Sequence, residues 1–469
     1  MSQTKKNFIY NAVYQIFSIC IPIILAPFLS RRLGTEGSGI YSYTYSIAYY
    51  FALFTLLGMN NYGSRLIAKE RDDKKQMSKY FGELYCGQLI MGVLMLLLYV
   101  LSIRFVFRKY VLIFTIQTIY VLSSLLDINW FFYGLEEFKL TVCRSFAIKV
   151  LNFIAILVLI RTKNDVWIYT LIMSSSTLLN QIILWPFIKN KICFIRLDYR
   201  RIRKHLKPLF ILFIPVIAVS VYKIMDKIMI GCFSNINEVG IYEYAEKINS
   251  VPLTIIAALG TVMVPKISNL VIKKENELIV EYLRKSITFV LFVSTPIFFV
   301  FQISMKYIVP FYLGYQFYAS SSLAVLLSIT LPFVSVANVI RTQYLIPLEE
   351  DKIYVKSVVI GAFLNFLCNW FLIPKLGAKG ACYGTIVAEI SVMIYQIIKV
   401  RNQIEVSEYL KELFSMIAKA LVAYTVTIPF VVLLNESMLV AVFRVIVFSF
   451  SFLLLNIIYI KDILRGMRC

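Results

Sequence analysis

Runs of about twenty apolar residues recur from one end of this chain to the other. A helix of that length crosses a hydrocarbon core of about 30 Å. Inside lipid the backbone must satisfy its own hydrogen bonds, so a spanning element is a helix or a strand of a closed barrel. Barrel strands alternate over about ten residues, and these runs do not. Of the 469 residues 59% are hydrophobic and 16% charged, against about 45–50% and about 25% in an average soluble chain. The sequence therefore reads as an all-α, polytopic membrane helical bundle.

About fourteen transmembrane helices are expected, near 8–29, 40–62, 81–103, 110–133, 144–160, 166–188, 208–231, 240–264, 285–306, 317–346, 354–374, 380–400, 412–434 and 439–460. Segment 144–160 is short and carries Lys149. Segment 317–346 is long, and must tilt or break at Pro332. The first run has no convincing small-residue cleavage site and reads as a retained span.

Loop charge sets the orientation. With a cytoplasmic N-terminus, about 31 of the 48 Lys and Arg lie in inner loops and about 10 in outer ones. The two richest loops, 63–80 and 189–207, are then both inside, and both termini are cytoplasmic. The net charge of +22 is explained by loops facing an anionic leaflet, so no nucleic acid partner is expected. The eight cysteines show no CxxC and no metal spacing. No metal and no cofactor is expected. The single histidine, His205, sits in a basic loop and reads as solvated.

The chain repeats itself. LEEFKLTVCRSFAIKVLNF (135–153) and LEEDKIYVKSVVIGAFLNF (348–366) align without a gap at an offset of 213. GIYSY (39–43) returns as GIYEY (240–244), at an offset of 201. Both matches shift the span count by six, an even number, so the copies have the same orientation across the membrane. The chain reads as two parallel-repeat six-helix lobes: an N-lobe at 1–195, a basic cytoplasmic linker at 196–207 and a C-lobe at 208–400. Two further helices follow at 412–460. Such lobes can enclose a cavity that opens to one side and then the other.

Ionisable groups inside spans are costly and mark functional sites unless they can snorkel to a surface. Lys223, Asp226 and Lys227 stand at i, i+3 and i+4, one face of a regular helix. They lie roughly 6–12 Å below the outer surface at about 1.5 Å per residue. Glu243, Glu246, Lys247 and Ser250 form a matching face on the next helix. The two faces read as a charged, water-lined cluster, or as an ion-pair network that sets packing. Glu389 lies near mid-span, too deep to snorkel easily. Lys149 and Asp127 lie near inner ends, and Arg341 could snorkel or meet an anionic head group. Arg444 and Lys419 are close enough to span ends to snorkel. Tyr41, Tyr45 and Tyr49, spaced by four, read either as an interfacial belt or as a stack for sugar rings.

There is no GxxxxGK[ST] for an ATP-driven motor, and no GxSxG or HExxH. The longest outer loops are about ten residues, too short for a soluble catalytic region. The chain is not expected to be an enzyme.

Three stretches carry a resemblance: LSRRLGTEGSGIYSY (29–43), DKIMIG (226–231) and VGIYEYAEKI (239–248). They resemble the Wzx-type polysaccharide-export flippases, within the superfamily that includes the MATE multidrug exporters. The resemblance implies a MATE-like two-lobed bundle working by alternating access. It implies a substrate of undecaprenyl diphosphate carrying a short oligosaccharide, for O-antigen, capsule or exopolysaccharide synthesis at the bacterial cytoplasmic membrane. Polysaccharide polymerase and chain-length machinery are the implied protein partners. Matching the family motifs residue by residue places Arg31 and Arg32, Asp226 and Lys227, and Tyr242, Glu246 and Lys247 in the cavity. Lys223, Arg341, Lys149 and Glu389 join them on the physical argument alone. The competing reading is a MATE-type ion-coupled drug or small-molecule antiporter, whose cavity would favour acids for cations.

Overall fold

The structure is a computed structural model that describes residues 3–189, 191–193, 199–401, 406–430, 437–457 and 459, with backbone alone at 3–19, 199–201, 258–259, 261–262 and 406–410. Residues 196–198 of the expected linker, the ends of the last two expected spans and Cys469 lie outside the described residues. The described residues form no strand. The chain divides into two compact units, 1–240 and 241–469.

The first unit begins with α1 (Gln3–Leu56), which covers the first two expected spans and breaks at Gly34, where φ is 71°. A second break, with positive φ at Leu57 and Gly58, leads into the short α2 (Met59–Lys69). Then come α3 (Lys74–Phe105), α4 (Val111–Leu125), α5 (Asn129–Gly134), α6 (Phe138–Leu159) and α7 (Val166–Ile182). The last elements are α8 (Tyr199–Ser220), a π turn at Val221–Met225 and α9 (Asp226–Phe233). α1 packs on α3, α4, α6, α7 and α9, and α2 packs on α5.

Side chains close the exposed ends of these helices. Asp73 caps α3 by accepting from the backbone N–H groups of Lys75 and Gln76 at 2.9 and 3.0 Å. Gln88 staples the break between α4 and α5. Its Nε2 donates to the carbonyls of Ser124 and Asp127, and its Oε1 accepts from Trp130 Nε1 at 3.1 Å. Carbonyls that would be orphaned at a helix end inside a membrane protein are thereby satisfied. Trp130, Phe131 and Phe132 bury completely around this break, against Phe81 and Leu84.

The division into units falls inside α10 (Ile236–Lys273). It lies one expected span beyond the basic stretch at 196–207, so α8 and α9 pack with the first unit. The second unit continues with α11 (Asn276–Leu313), α12 (Tyr318–Ser328), α13 (Thr330–Ile340), a π turn at Arg341–Leu345, α14 (Asp351–Leu376), α15 (Ala378–Val400), α16 (Val406–Thr427) and α17 (Met438–Leu455). α11 is its centre and packs on α12, α13, α16 and α17. Val290, Leu291, Ile340, Leu345, Ala420 and Phe448 lie in its core. The long expected span at 317–346 breaks between α12 and α13 by 46°. The break at Ile329 precedes Pro332, whose missing N–H and ring disfavour an α turn there.

Among the described residues nine helices are long and apolar enough to cross a membrane, or ten if the bent pair is one span. This is a multi-pass membrane protein.

The internal repeat is visible in the backbone. Glu136 and Glu349, 213 residues apart, both have φ of 58°. Glu137 and Glu350 are the N-caps of α6 and α14. The Glu137 N–H donates to the Phe132 carbonyl at 3.0 Å, and the Glu350 N–H to the Leu345 carbonyl at 2.8 Å. A strained left-handed turn at a non-glycine residue is uncommon, and its return at the same offset marks one motif used twice.

The second sequence match meets itself within the first unit. A Cβ on Gly39 would sit 1.9 Å from the Ile236 carbonyl oxygen, and one on Gly240 would sit 2.1 Å from the Thr35 carbonyl oxygen. Residues 35 and 236, like 39 and 240, are 201 apart. Thr35 Oγ1 donates to Asn237 Oδ1 at 2.9 Å beside this crossing. Only glycine allows backbones to approach so closely.

Candidate functional site

In the first unit, Arg31 and Arg32 stand on the last turn before the Gly34 break of α1, both exposed. Arg32 donates through Nη1 to the Arg161 carbonyl at 2.9 Å and lies 5.7 Å from the Phe28 ring centroid. Arg31 is also engaged by a neighbour.

The three charges of the seventh expected span do not share one environment, as a regular helix would have given them. The π turn at 221–225 carries Lys223, which is exposed. α9 begins at Asp226, which is 1% exposed, and Lys227 is half-buried. A π turn is wider than an α turn and rotates the helix that continues from it. A buried carboxylate needs partners to offset its desolvation, and both Asp226 and Lys227 have them. α9 is held on α1 by Gly231, which sits against the Tyr43 ring, and by Tyr43 Oη, 3.6 Å from Cys232 Sγ. Tyr50 donates to the Ser220 carbonyl at 3.0 Å, just before the π turn.

The tyrosines of α1 form a ladder. Tyr41 and Tyr45 stack at 5.8 Å, and Tyr45 and Tyr49 stand 6.3 Å apart. Tyr169 of α7 joins at 4.5 Å from Tyr41, and Tyr120 of α4 at 5.1 Å from Tyr45. Tyr169 is buried and the other four rings are half-buried, so together they form an aromatic wall packed against protein. The sequence spacing showed its first three members; Tyr120 and Tyr169 come from other helices, where no periodicity announces them.

Lys149 is half-buried on α6 and has a partner. One turn away, Arg144 is buried and anchors a polar network that the sequence did not disclose. Its guanidinium donates to the Asn180 carbonyl at 2.6 Å and to Asn129 Oδ1 at 2.9 Å. Asn129 Nδ2 donates to Asp127 Oδ1 at 2.7 Å and to Gln181 Oε1 at 3.0 Å. Asp127 therefore helps to hold the α4–α5 break.

His205 is buried, not solvated. Its Nε2 donates to Glu83 Oε2 at 3.0 Å and its Nδ1 meets Tyr62 Oη at 2.9 Å. The carboxylate partner lies 122 residues away in sequence, which is why a basic neighbourhood misleads.

In the second unit, Tyr242 is buried on α10 and its hydroxyl lies 3.3 Å from Thr385 Oγ1 on α15. One turn on from each stand Glu246 and Glu389, both half-buried and both partnered. Lys247 pairs with Glu243 at 3.0 Å and lies 4.9 Å from the Tyr244 ring centroid. Asn249 is buried and donates to the Ala324 carbonyl at 2.9 Å. Arg341 is exposed on the second π turn, 4.9 Å over the Tyr354 ring. Lys419 donates to Asn456 Oδ1 at 3.1 Å. Arg444 is only 9% exposed, so it does not snorkel. Among the described residues no group of His, Cys, Asp and Glu is placed to hold a metal.

A sequence profile described as "Polysaccharide biosynthesis protein" matches residues 4–271. The chain belongs to the polysaccharide biosynthesis protein family. This family member is 24% identical over 404 residues to the "Putative O-antigen transporter" of Escherichia coli K12, covering 85% of the chain and 97% of that protein. Among solved structures it is similar to the lipid II flippase MurJ in an inward closed conformation. That likeness has a TM-score of 0.78 and 14% identity, and covers 97% of this chain and 100% of that one. An inward-facing multidrug resistance MATE family transporter has a TM-score of 0.57 and 13% identity, over 85% of this chain and 96% of that one. The fold of this family member is thus that of MurJ and, more distantly, of the MATE transporters.

Proposed function

We propose that this member of the polysaccharide biosynthesis protein family flips undecaprenyl-diphosphate-linked oligosaccharide units from the inner to the outer leaflet of the cytoplasmic membrane, by alternating access. The observation that carries the reading is the pairing of a flippase fold along nearly the whole chain with charged side chains inside its helices. The relative similar over most of its length is named for O-antigen transport. A diphosphate-linked sugar head is polar and anionic and cannot cross hydrocarbon unaided. The bases Arg31, Arg32, Lys223, Lys227 and Lys247 suit the diphosphate, and the tyrosine ladder on α1 suits sugar rings. The working halves on this reading are the repeat-based lobes, 1–195 and 208–400. The basic loops 63–80 and 189–207, and both termini, face the cytoplasm. A polymerase that consumes the flipped unit is the natural protein partner. Transport of this kind makes and breaks no bond, in keeping with a protein that is not an enzyme.

The second reading, an ion-coupled antiporter, draws on the more distant MATE likeness. A deletion strain separates the two. Under the flippase reading, surface polysaccharide is lost, lipid-linked units collect on the inner leaflet, and wild type but not Lys227→Ala restores access from the outer face. Intact polysaccharide with new drug sensitivity would reverse the order.

A further inference from the structure

On the basic side of the first unit, α2 and the foot of α8 border a groove of about 520 Å³. Its origin is local. α2 is amphipathic: Met59, Gly63 and Ile67, every fourth residue, are buried, while Arg65, Ala68 and Lys69 are exposed. A short amphipathic helix with a basic face is the form taken by elements that lie in a membrane interface. α8 changes character at the same level. Arg203, Lys204 and Lys207 are exposed, and within two turns the exposed residues become Phe210, Ile211 and Ile214. That change from bases to exposed apolar side chains marks the boundary between head groups and hydrocarbon.

The groove spans this boundary. Arg65, Lys69 and Lys207 supply three cations to its wall. Leu66, Pro208, Ile211 and Leu212 supply an apolar floor. Two other bases on this side are already matched, Arg71 with Glu136 at 3.0 Å and Lys191 with Glu137. Among the described residues no carboxylate pairs with Arg65, Lys69 or Lys207. The remaining wall residue, Tyr62, is fixed from behind by His205, itself held by the buried Glu83. One side is therefore rigid and the other is a cluster of long cationic arms.

We infer that this groove holds the phosphate head group of an anionic phospholipid from the leaflet facing the basic loops. The phosphate lies among Arg65, Lys69 and Lys207, and an acyl chain follows Ile211 and Leu212 into the membrane. Charge complementarity selects an anion, and the apolar floor selects one that carries a chain. The site is separate from the in-span charges of the proposed transport route and does not depend on that reading; its leaflet is cytoplasmic on the orientation proposed above.

The test uses the full-length purified protein and phosphatidylglycerol, with phosphatidylcholine as the neutral reference. Lipid retention in detergent is measured by native mass spectrometry. Wild type is expected to bind phosphatidylglycerol in preference to phosphatidylcholine. The triple variant Arg65→Gln, Lys69→Gln, Lys207→Gln is expected to lose about tenfold in phosphatidylglycerol affinity, as three phosphate contacts are removed. Lys273→Gln with Lys274→Gln, exposed bases at the end of α10, is expected to bind as wild type does. If the triple variant does not accumulate, Lys69→Gln and Lys207→Gln are measured singly, each with an expected loss of about twofold. Unchanged affinity in these variants overturns the site. Displacement of the lipid by millimolar inorganic phosphate alone overturns the lipid assignment. So does a groove-dependent preference for undecaprenyl diphosphate over phosphatidylglycerol, which would make the groove part of the substrate's route.

Discussion

Residues 223–227 read Lys-Ile-Met-Asp-Lys, and residues 243–247 read Glu-Tyr-Ala-Glu-Lys. Both place charges at the first, fourth and fifth positions, and they end in different states. In α10 the winding is regular, and the first and fifth charges, of opposite sign, meet at 3.0 Å as an i, i+4 pair. At the start of α9 the first and fifth charges are both lysines and cannot pair. There the chain winds as a π turn, leaves Lys223 exposed and carries Asp226 to 1% exposure. The same spacing gives an ion pair with one exposed partner in one place and a buried acid in the other. Charge order and winding decide, not spacing.

The comparison can be broken most forcefully at the π turn. A π turn holds one residue more than the α turn it replaces. Deleting Ile224 should restore α winding with α9 left in place, move Lys223 relative to Asp226 and abolish export while protein still reaches the membrane. Export near the wild-type level would show that the π turn is incidental. The next largest effect belongs to Asp226→Asn, which keeps the shape and removes the charge. A buried charge whose partners are left behind is costly, about 3–5 kcal/mol, and outer-leaflet appearance of the lipid-linked unit should fall at least about tenfold. Lys227→Ala should reduce the same rate several-fold. Lys247→Ala should do so by only about twofold, because its side chain is 44% exposed and exposed pairs contribute about 0.2–1 kcal/mol. Equal losses at 227 and 247 would erase the distinction between the two stretches. The smallest effect is Glu243→Gln, which should leave export unchanged and lower the melting temperature by about 1–2 °C or less.

The apolar runs and their spacing made the helical bundle legible in the sequence, and the LEE turn announced a repeat that the backbone at Glu136 and Glu349 reproduces. Bilayer thickness imposes the apolar runs on any spanning chain, so they are written locally. The π turns left no mark in composition, since Val-Tyr-Lys-Ile-Met is an ordinary helical string. The burial of His205 and Arg144 is hidden from the sequence for a related reason. Their environments are made by Glu83, Tyr62, Asn129 and Asn180, on helices distant in sequence. Arg444 looked able to reach a surface by counting residues, yet its surroundings close over it. Depth can be counted along a helix, but burial depends on what packs beside it.

The crossing at Gly39 and Gly240 has one more consequence. Residue 39 touches 236 and residue 240 touches 35, and the two pairs exchange under the same shift of 201. Reciprocity of that kind is the signature of an isologous interface, the way two identical subunits meet across a two-fold axis. Here one polypeptide supplies both sides. The contact has the form of a homodimer seam made within one chain. Such a seam cannot be relieved from one side: a methyl group at 39 strikes the Ile236 carbonyl, and one at 240 strikes the Thr35 carbonyl. Losing either glycine is therefore not compensated by keeping the other.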